Sequence, residues 1–152
     1  MNLPSFLDEQ GVNYRLSHHA ETYRSQDLAQ VEHIPGKSVV KPVLVKADGH
    51  FVLCALPASY KVDLDELRDQ LRCEDVKLAE ERQLAELFPD CEIGAEPPIG
   101  RLWGLPTLMD ESLTAADMVT LQAGTHCDAV TMSLAEYRRL AQPEIAHFGR
   151  PM

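Results

Sequence analysis

The chain has 152 residues and 45% hydrophobic residues, which suffice for one domain with its own hydrophobic core. The formal net charge of −10 argues against charge-driven nucleic-acid binding, and no apolar run reaches the ~18 residues of a membrane span. The N-terminus, MNLPSFLDEQG, lacks the basic and apolar regions of a signal peptide. We therefore expect one soluble, cytoplasmic domain over residues 1–152, without a membrane or DNA partner.

The charge is unevenly distributed along the chain. Residues 63–96 contain twelve acidic and four basic side chains, so this segment alone carries −8. Residues 33–61 contain four lysines and a single acid, Asp48. The lysine-rich segment therefore has the charge to hold a phosphate-bearing ligand locally. The alternative is that its lysines are solvated strand and loop residues, and charge alone favours that alternative.

In chain order, the first half predicts two short helices and a hairpin. Residues 4–10 read as a helix stopped by Gly11, residues 12–16 as a short strand, and residues 25–32 as a helix capped by Ser25. The β-rich runs SVVKPVLVKA and HFVLCAL flank Asp48-Gly49, the strongest hairpin signal in the chain. Pro42 removes a ladder donor, so the first strand has an edge or a bulge there.

The second half alternates helices and strands. The leucines of residues 63–71 recur at helical spacing, and residues 79–88 form a second amphipathic pattern that ends before Pro89. Strands are predicted at residues 76–78, 105–109, 118–122 and 129–132. A capping box beginning at Ser133 opens a last helix, to about Leu140. The pattern predicts an α+β fold, with a mixed, mostly antiparallel, curved sheet surrounded by helices.

Several familiar chemistries lack their sequence signatures. No nucleophile elbow is present, and the histidines and cysteines do not have the spacing of a zinc site, so we predict no metal and no cofactor. The cysteines are widely spaced, which indicates reduced and mostly buried thiols. His126 and Cys127 are adjacent, and on a strand they would point to opposite faces, so a catalytic dyad is not expected and Cys127 is predicted to be a small buried hydrophobe.

The segment CEIGAEPPIGRLWG, residues 91–104, combines three glycines with two prolines. The prolines fix φ near −65° and have no N–H group, which leaves the amides of Ala95, Glu96 and Ile99 as donors. Donors held at fixed positions can stabilise an oxyanion or bind a small polar ligand. The alternative is a tight surface turn that packs Trp103 onto the core, and composition alone does not decide between the two.

Lys41 lies among β-branched residues in VVKPVLVK. Strand alternation places its side chain on the same face as Val39, Val43 and Val45. A lysine on such a face either extends to the sheet edge or is presented into a cleft for a phosphate or carboxylate, and the pattern by itself favours the edge.

The order of these segments resembles a known family. HIPGKSVVKPVLVKADGHFVLCALPASYKVDL, GAEPPIG, LPTLMDESL and AGTHCDAVTMS are similar to the YbaK-like aminoacyl-tRNA deacylases over about residues 12–141. These proteins are free-standing relatives of the editing domain inserted into bacterial prolyl-tRNA synthetases. The resemblance implies the fold of that prolyl-tRNA-synthetase-associated domain and a metal-independent hydrolase.

The resemblance also implies site residues. Lys41 matches the strand lysine that faces the tRNA 3′ end, and His126 matches the histidine beside the pocket, so Lys41, Gly94 and His126 are the expected catalytic residues. The Gly-x-x-x-Pro loop and its neighbours imply these substrate-binding residues: Ala95, Glu96, Pro97, Pro98, Gly100, Gly124, Thr125 and Asp110. The Gly-Arg-Arg-Gly turn of the Cys-tRNA-clearing branch is absent.

The implied activity is trans-editing, in which the ester of a small mischarged amino acid (Ala, Ser, Thr or Cys) on tRNA is hydrolysed. The partner would be the 3′ acceptor end of the aminoacyl-tRNA, with a synthetase supplying further affinity. Two alternatives stay open. One is a non-catalytic module of the same fold that binds a tRNA end, a nucleotide or a synthetase. The other is a hydrolase of small esters or amides unrelated to tRNA.

Overall fold

The computed structural model describes residues 3–21, 25–32 and 35–152, which form an α+β fold. The α-helices are Leu3–Glu9 (α1), Ser25–Val31 (α2), Leu64–Leu71 (α3), Glu81–Leu87 (α4) and Leu134–Ala141 (α5). The strands are Tyr14–His18 (β1), Val40–Ala47 (β2), His50–Pro57 (β3), Tyr60–Val62 (β4), Val76–Leu78 (β5), Thr107–Asp110 (β6), Met118–Gln122 (β7), Asp128–Ser133 (β8), Glu144–Ala146 (β9) and Gly149–Pro151 (β10). No helix of these residues is long and apolar enough to cross a membrane.

The helix boundaries follow from local capping. The Asp63 side chain accepts hydrogen bonds from the N–H groups of Asp65 and Glu66 at 3.1 Å, which fixes the start of α3. Ser133 accepts from the N–H of Glu136 at 3.1 Å and opens α5, as its position in the sequence predicts. Capping thus determines where these two helices begin.

The predicted hairpin is the centre of a five-stranded sheet with the order β5-β2-β3-β6-β9. β2 and β3 pair in one unbroken antiparallel register in which Pro42 faces Ala55, so the strand has no bulge. β5 pairs with residues 45–47 of β2, so among the described residues no strand pairs with that side of β2 at Pro42. The edge prediction is therefore confirmed. β6 and β9 continue the sheet in parallel.

The other strands form two smaller sheets. β1, β8 and β7 make an antiparallel sheet, and β10 pairs with β4. An isolated parallel bridge between Val39 and Thr120 connects the first of these to the large sheet. The mixed and mostly antiparallel arrangement is confirmed, but the strands divide into three sheets because β1 and β10 pair with partners far along the chain.

A small apolar cluster lies beneath α2, where the sheets meet. It consists of Leu28, Ala29, Val39, Ala58 and Ala129, and all five are buried. We call it the α2 cluster. A larger core on the neighbouring side brings Ile99, from the glycine- and proline-rich segment, against side chains such as Val40 and Leu121. That segment is therefore tied to both sheets through the core.

Candidate functional site

Two segments that contain predicted site residues lie against each other: residues 92–100, with the predicted positions in 94–100, and residues 122–128, with the predicted positions in 124–126. We call them the loop pair. The N–H of Glu92 donates to the carbonyl of Gly124 at 2.8 Å, and the N–H of Gly124 donates to the carbonyl of Ala95 at 2.9 Å. Gly94 and Gly124 have φ values of +84° and +96°, which glycine adopts readily. The structure therefore brings these two glycine turns together, and their membership of one functional site stays a prediction.

The His126 ring is fixed by the opposite segment. Its backbone N–H donates to Glu92 Oε1 at 2.6 Å, and its ring Nε2 lies 2.9 Å from the carbonyl oxygen of Ile93. A carbonyl can only accept, so Nε2 carries a hydrogen in this arrangement. A methyl group placed on Gly94 would lie 4.0 Å from His126 Cε1, so Gly94 and the imidazole are neighbours. The His126 ring therefore lies beside the backbone of Gly94.

The turn that carries His126 is closed by Thr125. Its hydroxyl donates to Asp128 Oδ2 at 2.6 Å and accepts from the N–H of Cys127 at 3.1 Å. Thr125 therefore positions the turn. His126 and Cys127 lie in this turn and not on a strand, and Cys127 is half-buried, so its predicted burial is wrong. All four cysteines are free, but only Cys54 is fully buried, which corrects the expectation of mostly buried thiols.

Three amides of residues 95–100, which include the Gly-x-x-x-Pro loop's end, already have acceptors within the protein. The N–H of Ala95 donates to Glu92 at 3.0 Å and that of Ile99 to Pro97 at 2.7 Å, both at carbonyl oxygens. The N–H of Gly100 donates to Thr107 Oγ1 at 2.8 Å. The prediction that the Ala95 and Ile99 amides are open donors is therefore wrong.

The loop is also buried, so it is not a surface turn. Residues 95–100, which include Pro97 and Pro98, are all buried. The Tyr137 hydroxyl donates to the Pro98 carbonyl at 2.6 Å and holds the loop against α5. Trp103 follows the loop and packs edge-to-face on Phe88 with ring centroids 4.6 Å apart. The loop is a rigid buried corner that contributes side chains and carbonyls to its surroundings.

Glu96 and Gln122 are the unusual polar residues of the loop pair. Each is only 2% exposed. Within the described residues, Glu96 Oε2 and Gln122 Nε2 have no hydrogen-bond partner. Burial raises the pKa of Glu96 to about 7, although the N–H groups of Gly94 and Glu96 act in the opposite direction. Gln122 was not predicted, and its only signal is a polar residue ending the apolar strand MVTLQ.

Lys41 lies at the α2 cluster. Its half-buried ammonium donates to the carbonyl of Ala58 at 3.4 Å and lies 3.7 Å from Met152 Sδ, and burial lowers its pKa. Ala58 belongs to this cluster together with Ala129, which lies three residues beyond His126. Lys41 and the His126 turn therefore flank the same small cluster. In the described part of the chain, no hydrogen bond joins Lys41 to the loop pair.

Asp110 anchors the C-terminal segment. One carboxylate oxygen accepts from the N–H groups of Phe148 at 2.9 Å and Gly149 at 2.7 Å. The other accepts from the N–H of Ser112 at 3.1 Å and from the Ser112 hydroxyl. Burial acts to raise the pKa of Asp110, but these bonds outweigh it and hold the pKa below its usual value. Both oxygens are engaged, so the geometry assigns Asp110 to structure, and its predicted contact with substrate stays a prediction.

Ligand-sized space lies beside the Val39–Thr120 bridge. A cleft of about 410 Å³ is lined by residues that include Lys37, Ser38, Thr120 and Thr131. No predicted site residue is among those lining it within the described residues. Over the same ranges, no group of three or more His, Cys, Asp or Glu side chains could hold a metal ion.

The fold is shared with solved structures of other proteins. The protein APE2540 superposes with a TM-score of 0.87 at 17% identity, over 97% of this chain and 99% of that one. A candidate trans-editing enzyme for prolyl-tRNA synthetase superposes with a TM-score of 0.84 at 20% identity, over 97% and 94%. At these identities the likeness concerns the fold.

Sequence comparison shows which family the chain belongs to. The chain belongs to the aminoacyl-tRNA editing domain family, whose model matches residues 19–140. It is 26% identical over 153 residues to the Multifunctional Ser/Thr-tRNA deacylase ProXp-y of Escherichia coli K12, over 97% of this chain and 91% of that protein. These matches confirm the family resemblance drawn from the sequence, and residues 19–140 contain every predicted site residue.

Proposed function

We propose that this protein is a trans-editing deacylase that hydrolyses the ester between a small amino acid and the terminal adenosine of tRNA. The observation that carries the proposal is the loop pair, in which Gly94 and His126 are neighbours within the family-matched region. Serine and threonine are the foremost candidates, because the relative ProXp-y is named for them.

The chemistry needs little from the protein beyond positioning. An aminoacyl ester is already activated, so an ordered water attacks its carbonyl carbon and the ester C–O bond breaks. A proton from that water passes to the departing ribose oxygen, which leaves as a hydroxyl, and the amino acid leaves as the free acid. Because the amides of Ala95, Ile99 and Gly100 have internal acceptors, the loop does not supply them to the oxyanion. The vicinal ribose hydroxyl of the substrate takes that role in our proposal. The His126 ring, held by Ile93, orients the ester.

Lys41 is the electrostatic anchor in this proposal. Its ammonium is half-buried and bonded to a neutral carbonyl and a thioether, with no carboxylate among its hydrogen-bonding contacts within the described residues. An incoming phosphate of the tRNA 3′ end therefore meets an uncompensated positive charge. Because Lys41 lies beside the α2 cluster, it would hold the phosphate, and the loop pair would hold the aminoacyl end.

The net charge limits which parts of the tRNA we expect the protein to bind. At −10 the protein has little attraction for a long RNA duplex, so the acceptor end is the part we expect it to hold. A synthetase that presents the mischarged tRNA would supply the missing affinity. The cytoplasm is the compartment that this substrate implies.

A panel of one tRNA charged with Ala, Ser, Thr, Cys or Pro tests the proposal. We expect turnover of at least one small ester, and Lys41→Ala should lower kcat/KM by about 10- to 100-fold, the range for one lost charge-assisted contact. Lys61→Ala, an exposed lysine, is the matched control. Absence of deacylation across the panel would refute the proposal.

A non-catalytic binding module is the second candidate. The internal use of the loop amides favours it, because a deacylase would gain from open donors there. Binding of mischarged tRNA without turnover would support it. Equal turnover of a free amino-acid ester and the tRNA ester would instead indicate a general small-ester hydrolase.

A further inference from the structure

The cleft beside the Val39–Thr120 bridge has the size and the polar groups of a ligand site. Its volume of about 410 Å³ falls within the ~300–1,000 Å³ that is usual for small-ligand pockets. Its lining brings together an ammonium group, a carboxylate and two hydroxyls, from Lys37, Asp117, Thr120 and Thr131. Proline, alanine and methionine side chains supply its apolar surface. The cleft can therefore hold a flat ligand with several polar groups.

The two threonines leave one hydrogen-bond donor for a ligand. Thr120 and Thr131 face each other across β7 and β8, and their hydroxyl oxygens lie 2.7 Å apart. Thr120 is only 2% exposed. Two hydroxyls have two hydrogens, and only one of them can lie between the two oxygens. In the part of the chain that the structure describes, neither hydroxyl has another partner, so the second hydrogen is available to an acceptor in the cleft.

Lys37 and Asp117 bring opposite charges to the same cleft. Both side chains are exposed, and over the described ranges neither forms a salt bridge. An ammonium binds a phosphate, whereas a carboxylate accepts hydrogen bonds and repels an anion. The ligand that fits therefore has an anionic group for Lys37 and an amino donor for Asp117.

The cleft lies within one nucleotide's reach of the loop pair and of Lys41. Thr120 and Gln122, which begins the second segment of the loop pair, point to the same face of β7, and two residues of a strand span about 7 Å. Lys37 precedes Lys41 by four residues, so their Cα atoms lie within ~14 Å of each other. A nucleotide chain that ends at the loop pair can therefore place its preceding nucleotide in the cleft.

We infer that the cleft binds the cytidine that precedes the terminal adenosine of the tRNA. This inference rests on the proposed function, whose substrate ends in the sequence CCA. Lys37 binds the phosphate of that cytidine. Asp117 accepts from the exocyclic amino group of the base, and the threonine pair donates to a ring acceptor. Uracil has a carbonyl oxygen in place of the amino group, so Asp117 would face a second acceptor and disfavour it.

The first test separates the cleft from the rest of the site. One amino acid that the ester panel identifies is attached to a tRNA ending in CCA and to adenosine alone, which has no nucleotide for the cleft. Lys37→Ala should lower kcat/KM for the tRNA relative to aminoacyl adenosine by about tenfold, through KM, because one charge-assisted contact is lost. Lys77→Ala, at an exposed lysine on β5, is the matched control and should keep the wild-type ratio.

The second test reads the base. The wild type should favour the tRNA ending in CCA over the same tRNA ending in CUA by about tenfold in kcat/KM. Asp117→Asn offers an amide N–H to the uracil oxygen and should bring this preference toward one. Asp69→Asn, at an exposed carboxylate on α3, should keep the wild-type preference. Thermal melts identify any unfolded variant, and the wild-type preference tests the inference without a variant.

Equal wild-type turnover of the CCA and CUA substrates would overturn the inference and leave the deacylase function standing. So would a folded Lys37→Ala variant with the wild-type ratio of tRNA to aminoacyl adenosine. If the wild type hydrolyses none of the substrates, the deacylase function is refuted, and fluorescence anisotropy with labelled oligonucleotides ending in CCA or CUA tests the cleft separately. Tighter binding of CCA would support the cytidine site, and equal affinity would overturn it.

Discussion

Replacing Glu96 by glutamine should stabilise the protein in a pH-dependent way. Burial raises the pKa of the carboxyl from 4.5 to about 7, so the folded state holds its proton more tightly than the unfolded state does. The stability that the protonated group provides is complete below pH 4.5 and is lost as the pH rises through about 7. At 1.36 kcal/mol per pKa unit, ionisation costs the wild type roughly 3 kcal/mol at pH 8 and roughly 1 kcal/mol at pH 5.

Glu96→Gln removes this dependence, because an amide does not titrate. The free energy of unfolding of the variant relative to the wild type should therefore rise by about 2 kcal/mol between pH 5 and pH 8. Urea denaturation at both pH values measures it, and any pH-independent effect of the amide cancels in the difference. Glu81→Gln, at an exposed carboxylate, should show no such difference. If Glu81→Gln showed the same difference between pH 5 and pH 8 as Glu96→Gln, the free-energy cost assigned to ionising the buried Glu96 would be refuted.

Three further predictions concern the scaffold. Gly100→Ala should lower the free energy of unfolding by about 2–3 kcal/mol in urea melts, because its methyl would lie 2.7 Å from Thr107 Oγ1. Asp110→Asn should cost about 2 kcal/mol at pH 7. This cost should disappear as the pH falls through the lowered pKa of Asp110, and an acid titration by circular dichroism checks it. Burial raises the pKa of Cys54 to about 12, so iodoacetamide at pH 8 should leave Cys54 unlabelled in the native protein, while Cys73 reacts. Mass spectrometry of the labelled peptides measures this, and labelling of both cysteines would contradict the prediction.

Local patterns made much of the fold predictable. The hairpin around Asp48-Gly49 and the strands β5 and β7 follow from turn chemistry and alternation within a few residues. The strands β4, β9 and β10 have only three residues each and no readable period. Their pairing depends on Asp110 holding the C-terminal segment and on β6 offering a parallel edge, and neither interaction is local in sequence.

The site was predictable in the same uneven way. Glycine turns at Gly94 and Gly124 are readable because only glycine adopts these φ values readily. Which amides stay open is decided by neighbours such as Glu92 and Thr107, which a sequence read in order does not identify. The burial of Gln122, a polar residue at the end of β7, emerges only from the fold.

The pairing of β1 with β8 has a consequence for how the protein is made. Tyr14 lies opposite Met132, so the strand that leads into α5 needs a partner from the start of the chain. During synthesis β1 remains unpaired while the β2–β3 hairpin forms, because that hairpin needs only local contacts. A ribosome that stalls before residue 132 therefore leaves a chain in which the His126 turn has no completed sheet behind it.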